Sequence, residues 1–194
     1  MRRVILLLGV MAATLVLVSG VALALTKIGG PGPDVLKGTD RHDRLEGWGG
    51  PDALSGLSAR DCLHGGTGSD YLEGGPGDDT VFGGGTGCEF PLKGQERPAS
   101  SDVVKGGPGD DEVSGAAGAD FISGGDGDDA LTDGERHGGT MDVISGGAGD
   151  DFFAPFNDPP GKDKVSCGSG HDKVFADRAD IVSDDCEKVE VVRF

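Results

Sequence analysis

The sequence predicts an all-β fold, a regular repeat of turns and short strands, and three observations carry that prediction. Glycine accounts for 38 of 194 residues while aromatic residues make up only 5%, so a thick core of large side chains is not available. Aspartate recurs in glycine-rich surroundings every nine residues over most of the chain. An apolar side chain follows each of those aspartates at an offset of two, which keeps one inward-facing position on each short strand.

The amino terminus stands apart from this pattern. Arg2 and Arg3 precede an apolar run from Val4 to Val18, and Ala22-Leu23-Ala24 supplies the small residues of an A-x-A cleavage site. That arrangement predicts a secretory signal peptide over residues 1–24. The apolar stretch continues uncharged to Leu25, so an uncleaved membrane anchor fits the same residues. Either outcome places the chain beyond Thr26 outside the cytoplasm, secreted or associated with the cell envelope, where disulfides persist.

Written in nines from Gly29, the chain reads GGPGPDVLK, GTDRHDRLE, GWGGPDALS, GLSARDCLH, GGTGSDYLE and GGPGDDTVF, unbroken to Phe82. Position six holds Asp34, Asp43, Asp52, Asp61, Asp70 and Asp79; position eight holds Leu36, Leu45, Leu54, Leu63, Leu72 and Val81. A second run starts with SDVVK at Ser101 and continues as GGPGDDEVS, GAAGADFIS and GGDGDDALT. It carries Asp102, Asp111, Asp120 and Asp129, with Val104, Val113, Ile122 and Leu131 at the same offset. The offset returns at Asp142 and Ile144, Asp151 and Phe153, Asp163 and Val165, and Asp172 and Val174. Low-complexity disorder would match the glycine content, but it has no reason to hold an apolar residue at one phase.

These runs divide the chain into a first repeat block at 29–87, an insertion loop at 88–100, a second, interrupted block at 101–175 and a carboxyl-terminal cap at 176–194. Around the insertion, GGTGCEF has Glu89 where the aspartate should stand, and Pro91 blocks the strand that would come next. In the cap, Asp180-Ile181-Val182 keeps the offset, and the alternating segment from Lys188 to Phe194 predicts a final strand covering the open end.

Asp and Glu total 34 against 17 Lys and Arg, a net charge of −17. That balance repels nucleic acid and calls for cations. Neither H-E-x-x-H nor G-x-S-x-G occurs, and a non-catalytic role is expected.

Full copies such as GGTGSDYLE at 65–73 and GGPGDDTVF at 74–82 resemble the G-G-x-G-x-D-x-U-x consensus of the RTX, or haemolysin-type, calcium-binding repeat family. The resemblance spans about residues 29–175 and implies a parallel β-roll, two nonapeptides to a coil, with several calcium ions between stacked turns on each edge. It implies the fourteen position-six aspartates as side-chain ligands. Asp34, Asp52 and Asp70 would stack along one edge and Asp43, Asp61 and Asp79 along the other. Asp102 would stack with Asp120, and Asp111 with Asp129. Carbonyls at repeat positions one and three, or their neighbours, would add oxygens, in keeping with a hard cation that takes six to eight of them. Asp78, Asp110, Asp128 and Asp150, at position five, are expected to face solvent.

Burial of one aliphatic side chain per nine residues falls well short of the backbone entropy those residues lose. Folding is therefore expected to be coupled to calcium. The function expected is extracellular calcium binding by a non-catalytic repeat protein; the alternative is a calcium-stiffened adhesion or cell-envelope structural protein. The outward aromatic residues Trp48, Tyr71 and Phe121 are compatible with a cell-envelope, carbohydrate or protein partner, though scattered exposed aromatics need none. Cys62, Cys88, Cys167 and Cys186 allow three pairings. Local pairing, Cys62 with Cys88 and Cys167 with Cys186, is expected, and the lack of C-x-x-C argues against zinc.

Overall fold

The computed structural model describes residues 24–84, 100–134, 140–155 and 161–192. Residues 1–23 of the segment expected as signal peptide or anchor, most of the insertion at 88–100, and Cys88 with its expected pairing lie outside the described residues.

The described residues form strands only. In chain order these are β1 (Leu25–Ile28), β2 (Val35–Lys37), β3 (Asp43–Gly49), β4 (Ala53–Ser55), β5 (Cys62–Thr67), β6 (Tyr71–Glu73), β7 (Thr80–Phe82), β8 (Val103–Pro108) and β9 (Glu112–Ser114). They continue as β10 (Phe121–Asp126), β11 (Ala130–Thr132), β12 (Val143–Ala148), β13 (Phe152–Phe153), β14 (Lys164–Ser169), β15 (Lys173–Ala176), β16 (Ile181–Val182) and β17 (Lys188–Val191). Odd-numbered strands build one parallel sheet in the order β1-β3-β5-β7-β9-β11-β13-β15-β17, and even-numbered strands build the other, from β2 to β16. We call them sheets A and B. This is the parallel β-roll that the sequence predicts.

Register follows the repeat. In sheet A, Leu45 aligns with Leu63, Leu63 with Val81, Val81 with Val113, Val113 with Leu131, and Leu131 with Phe153. In sheet B, Leu36, Leu54, Leu72, Val104, Ile122, Ile144, Val165 and Val182 form the matching column. The two columns meet in one continuous core. Because alternate residues of a strand face opposite sides, position seven points outward, and Tyr71 and Phe121 are exposed as expected.

Both repeat blocks stack as one solenoid, since β6 pairs β8 and β7 pairs β9 across the insertion. The long connections β7–β8, β11–β12 and β13–β14 all run from sheet A to sheet B. Every turn from sheet B to sheet A before the cap keeps the nine-residue spacing, so the two edges are built differently.

Two glycine positions have different physical causes. Gly66 and Gly68, at positions two and four, have φ of 111° and 115°, a region that glycine enters without a Cβ penalty. Gly83, at position one, has no such φ; a Cβ there would lie 2.6 Å from the Gly115 carbonyl oxygen and 2.7 Å from Asp102 Oδ2. At Gly83 the close approach of the next coil and of the aspartate carboxylate, not turn conformation, requires glycine. Trp48, Leu57, Ala59 and Ala116 occupy positive φ without being glycine, and each stands at position two or four of an imperfect repeat.

The ends depart from the repeat. Strand β1 precedes the first nonapeptide and pairs β3, placing Leu25 at the position-six level beside Asp43 and Lys27 at the position-eight level beside Leu45. Lys27 Nζ donates to the Lys37 carbonyl, so its stem lies over the first coil while its charge reaches out. At the other end, β17 continues sheet A by pairing β15.

Candidate metal centre

The position-six aspartates form two ladders. On the edge leading into sheet B, the amide of Asp34 donates to Asp52 Oδ1, Asp52 to Asp70, Asp70 to Asp102 and Asp102 to Asp120, each at 2.8 Å. Asp120 continues to Asp142 at 2.6 Å, and Asp142 to Asp163 at 2.9 Å. On the other edge, Asp43 donates to Asp61, Asp61 to Asp79, Asp79 to Asp111, Asp111 to Asp129, Asp129 to Asp151 and Asp151 to Asp172. All fourteen residues singled out from the sequence stand in these ladders, and all except Asp34 are at most 5% exposed.

One carboxylate oxygen thus takes a backbone N–H from the preceding coil. The second is the chemically unsatisfied one. Oδ2 of Asp52, Asp61, Asp70, Asp79, Asp111, Asp129, Asp151 and Asp172 is buried without a hydrogen-bond partner, a costly state for a charged acceptor unless a cation meets it. Around Gly47, Gly56, Gly65 and Gly74, that oxygen and the position-one carbonyl of the next coil converge on the same point. The donors are all oxygen, carboxylate and carbonyl together, a set suited to a hard cation such as calcium.

Electrostatics reflects the crowding. Burial pushes Asp70, Asp79, Asp111 and Asp129 up to about 7, and Asp61, Asp102 and Asp151 up to about 6. The ladder N–H opposes the rise in each case. For Asp70, Asp79, Asp111 and Asp129, repulsion from neighbouring carboxylates adds to it.

Residues near the ends satisfy the second oxygen internally. Gly30 N–H donates to Asp34 Oδ2 at 2.6 Å, and Thr39 Oγ1 donates to Asp43 Oδ2 at 2.9 Å. Near the other end, Asp177 N–H donates to Asp180 Oδ2 at 2.7 Å.

Asp78, Asp110, Asp128 and Asp150 are exposed, and all lie on the insertion-free edge. Asp128 N–H donates to Asp110 Oδ1 at 2.9 Å and Asp150 N–H to Asp128 Oδ1 at 2.8 Å. Arg60 pairs with Asp78 at 2.8 Å and holds it below the usual carboxylate range. These side chains form an outer column separate from the buried ladder.

Three residues in the carboxyl-terminal half extend the site beyond the sequence-derived set. Asp133 is buried at position one, where most coils have glycine, and its carboxylate lies with those of Asp142 and Asp163 within 4.8 Å. Asp177, two coils further along sheet A and three residues after the inward Val174, is also buried, at 4% exposure. Glu187 accepts the Asp172 N–H at 2.9 Å and closes the second ladder. Its signal was present in the sequence: Val189 follows it at the same offset of two, with glutamate in place of aspartate. Cys167 and Cys186 are disulfide-bonded, 19 residues apart, as the local pairing predicts.

Comparison with curated proteins finds no match to the chain. A family model for the RTX calcium-binding nonapeptide repeat matches it in four copies, at residues 28–61, 55–86, 99–131 and 138–154. These repeats are calcium-binding elements, and the buried oxygen ladders coincide with them. With more than half of its length matched and its position-six aspartates stacked in register, the chain belongs to the RTX calcium-binding nonapeptide repeat family.

Proposed function

We propose that the chain is an exported, non-catalytic calcium-binding protein that folds on binding calcium, with the position-six aspartates as its side-chain ligands. The observation that carries this is the file of buried Oδ2 atoms without hydrogen-bond partners along the two edges. Calcium supplies the positive charge that neutralises these carboxylates and links adjacent coils. Gly30, Thr39 and Asp177 already donate to Asp34, Asp43 and Asp180, so the interior coils bind first. Because each coil is supported by its neighbours alone, the two repeat blocks act as one cooperative unit. Export is supported by Arg2 and Arg3 ahead of the apolar run, and by a disulfide suited to an oxidising compartment.

The test is calcium uptake by the metal-free chain, with the far-ultraviolet β signal and bound mass read together. Parallel gain of both supports the proposal; binding without gain of structure contradicts the coupling.

A second role, as a calcium-stiffened adhesion or envelope protein, is favoured by one surface. Val35, Ala53, Tyr71, Val103, Phe121 and Val143 line up in register on the outer face of sheet B. The stretch from Val35 to Val103 borders a shallow groove of about 350 Å³. Cell fractionation separates the roles: retention in the envelope supports the second, release into the medium the first.

A further inference from the structure

The ladder along the insertion-free edge does not end with the last recognisable nonapeptide. In the register of β15 and β17, Lys173 aligns with Lys188 and Val174 with Val189, which brings Glu187 to the position-six level beside Asp172. The Asp172 N–H donates to Glu187 Oε2 at 2.9 Å, repeating the bond that each earlier aspartate makes to the next. Asp172 itself is 1% exposed, and its Oδ2 is buried without a hydrogen-bond partner. That oxygen is a second observation, independent of the acidic character of the segment, and it calls for a cation.

The change from aspartate to glutamate has a local cause. Val182 and Val189 stand at the position-eight level of successive strands, separated by seven residues where the repeat uses nine. The turn between them is therefore two residues shorter, and the extra methylene of Glu187 restores the reach of the carboxylate. A β-turn closed by Cys186 N–H to the Ser183 carbonyl, at 3.3 Å, makes the shortcut.

The rest of the segment is fastened to the coil beneath it. Asp185 Oδ2 accepts from Ser166 Oγ at 3.0 Å and Gly168 N–H at 3.1 Å, and its Oδ1 accepts from Cys167 N–H at 3.4 Å. In interior coils, amides at positions one and two donate instead to carbonyls of the next coil, as Gly66 does to Gly83. Asp185 thus stands in for a missing coil. Cys186, between Asp185 and Glu187, is bonded to Cys167.

We propose that the cap completes an additional calcium site beyond the family-matched repeats, with Glu187 facing Asp172 as the terminal carboxylate and the Cys167–Cys186 disulfide holding it there. The inference rests on the calcium-binding reading of the ladders and adds to it a ligand from outside the nonapeptides, together with a redox latch.

Calcium ions per chain, counted by native mass spectrometry on the oxidised full chain, test it against E187Q, E187D and the double variant Cys167→Ala/Cys186→Ala. E187Q keeps an acceptor for the Asp172 amide but loses the charge, and should bind one ion fewer with its β signal intact at saturating calcium. E187D keeps the charge on a shorter stem and should bind the last ion more tightly than E187Q but more weakly than the parent. The disulfide-free variant should bind the last ion about tenfold more weakly, as when outer-shell support of a metal ligand is removed, with the other ions unchanged. An unchanged count in E187Q, or collapse of its whole β signal, would overturn the proposed site. Unchanged affinity in the disulfide-free variant would overturn the latch. Wild type binding no calcium would instead overturn the underlying reading of the ladders.

Discussion

The amide of Asp61 donates to Oδ1 of Asp79 at 2.7 Å, while Oδ2 of Asp79 is buried without a partner. One bond therefore divides the carboxylate into two roles. Its first oxygen ties neighbouring coils together, and its second is left unsatisfied, open to a cation. Repeated along both edges, this division makes the same residue a structural rung and a candidate ligand.

Asp79→Asn separates the roles, because the amide oxygen still accepts from Asp61 while the anionic Oδ2 is lost. Calcium affinity should fall at least about tenfold, at or above the range for disturbing a metal ligand from its outer shell. Asp78→Asn changes only an exposed carboxylate paired with Arg60, and its calcium titration should overlay that of the parent. Calorimetric titration of both variants checks the ranking, and a larger effect at Asp78 would refute the ligand assignment.

The pH dependence should differ in sign with and without calcium. Asp70, Asp79, Asp111 and Asp129 are raised to about 7 in the folded, metal-free roll, mainly by burial, against about 3.9 for an unfolded aspartate. The folded state then binds more protons. Its stability is greatest below pH 4 and declines as pH rises through 7. With calcium the dependence reverses, because the metal competes with those protons. Circular dichroism should show more β structure at pH 4 than at pH 8 in chelator, and a rising calcium requirement as pH falls from 7 to 5.

Position-one glycine should be intolerant for steric reasons. Gly83→Ala brings a Cβ to 2.6 Å from a backbone oxygen and should cost about 1 to 3 kcal/mol, as overpacking does. Gly32 meets nothing within 4 Å, and Gly32→Ala should gain about 0.4 to 1 kcal/mol by restricting the unfolded chain. Thermal unfolding at saturating calcium distinguishes the two, and equal effects would contradict the close-approach account.

The Cys167–Cys186 bridge closes a loop with a sequence separation of 19, worth about 3 kcal/mol of unfolded-state entropy. Cys167→Ala/Cys186→Ala should lower stability by about that amount in denaturant titration at fixed calcium. A difference near zero would mean that the cap is held without the bridge.

The sequence made the two columns legible because position six and position eight repeat without exception through the regular blocks. Spacing alone put Leu72 on the inner face of a short strand, and the family resemblance put Asp70 on an edge. Glu187 escaped because a shortened turn and a glutamate disguised the same offset. Strand β1 escaped because Lys27 stands where an aliphatic residue marks the other coils, its stem covering the core in that residue's place. Asp133 was hidden at a position the repeat reserves for glycine. The steric reason for Gly83 depends on how closely adjacent coils approach, a distance no single repeat contains.

The central claim is that calcium, met by the buried Oδ2 ladders, is what makes this chain fold. Titration of the metal-free full chain with calcium at pH 7.5, followed by far-ultraviolet circular dichroism and native mass, tests it most directly. β structure should appear cooperatively as several ions bind to each chain. A metal-free chain already showing the full β signal, or a spectrum unchanged through millimolar calcium, would contradict it.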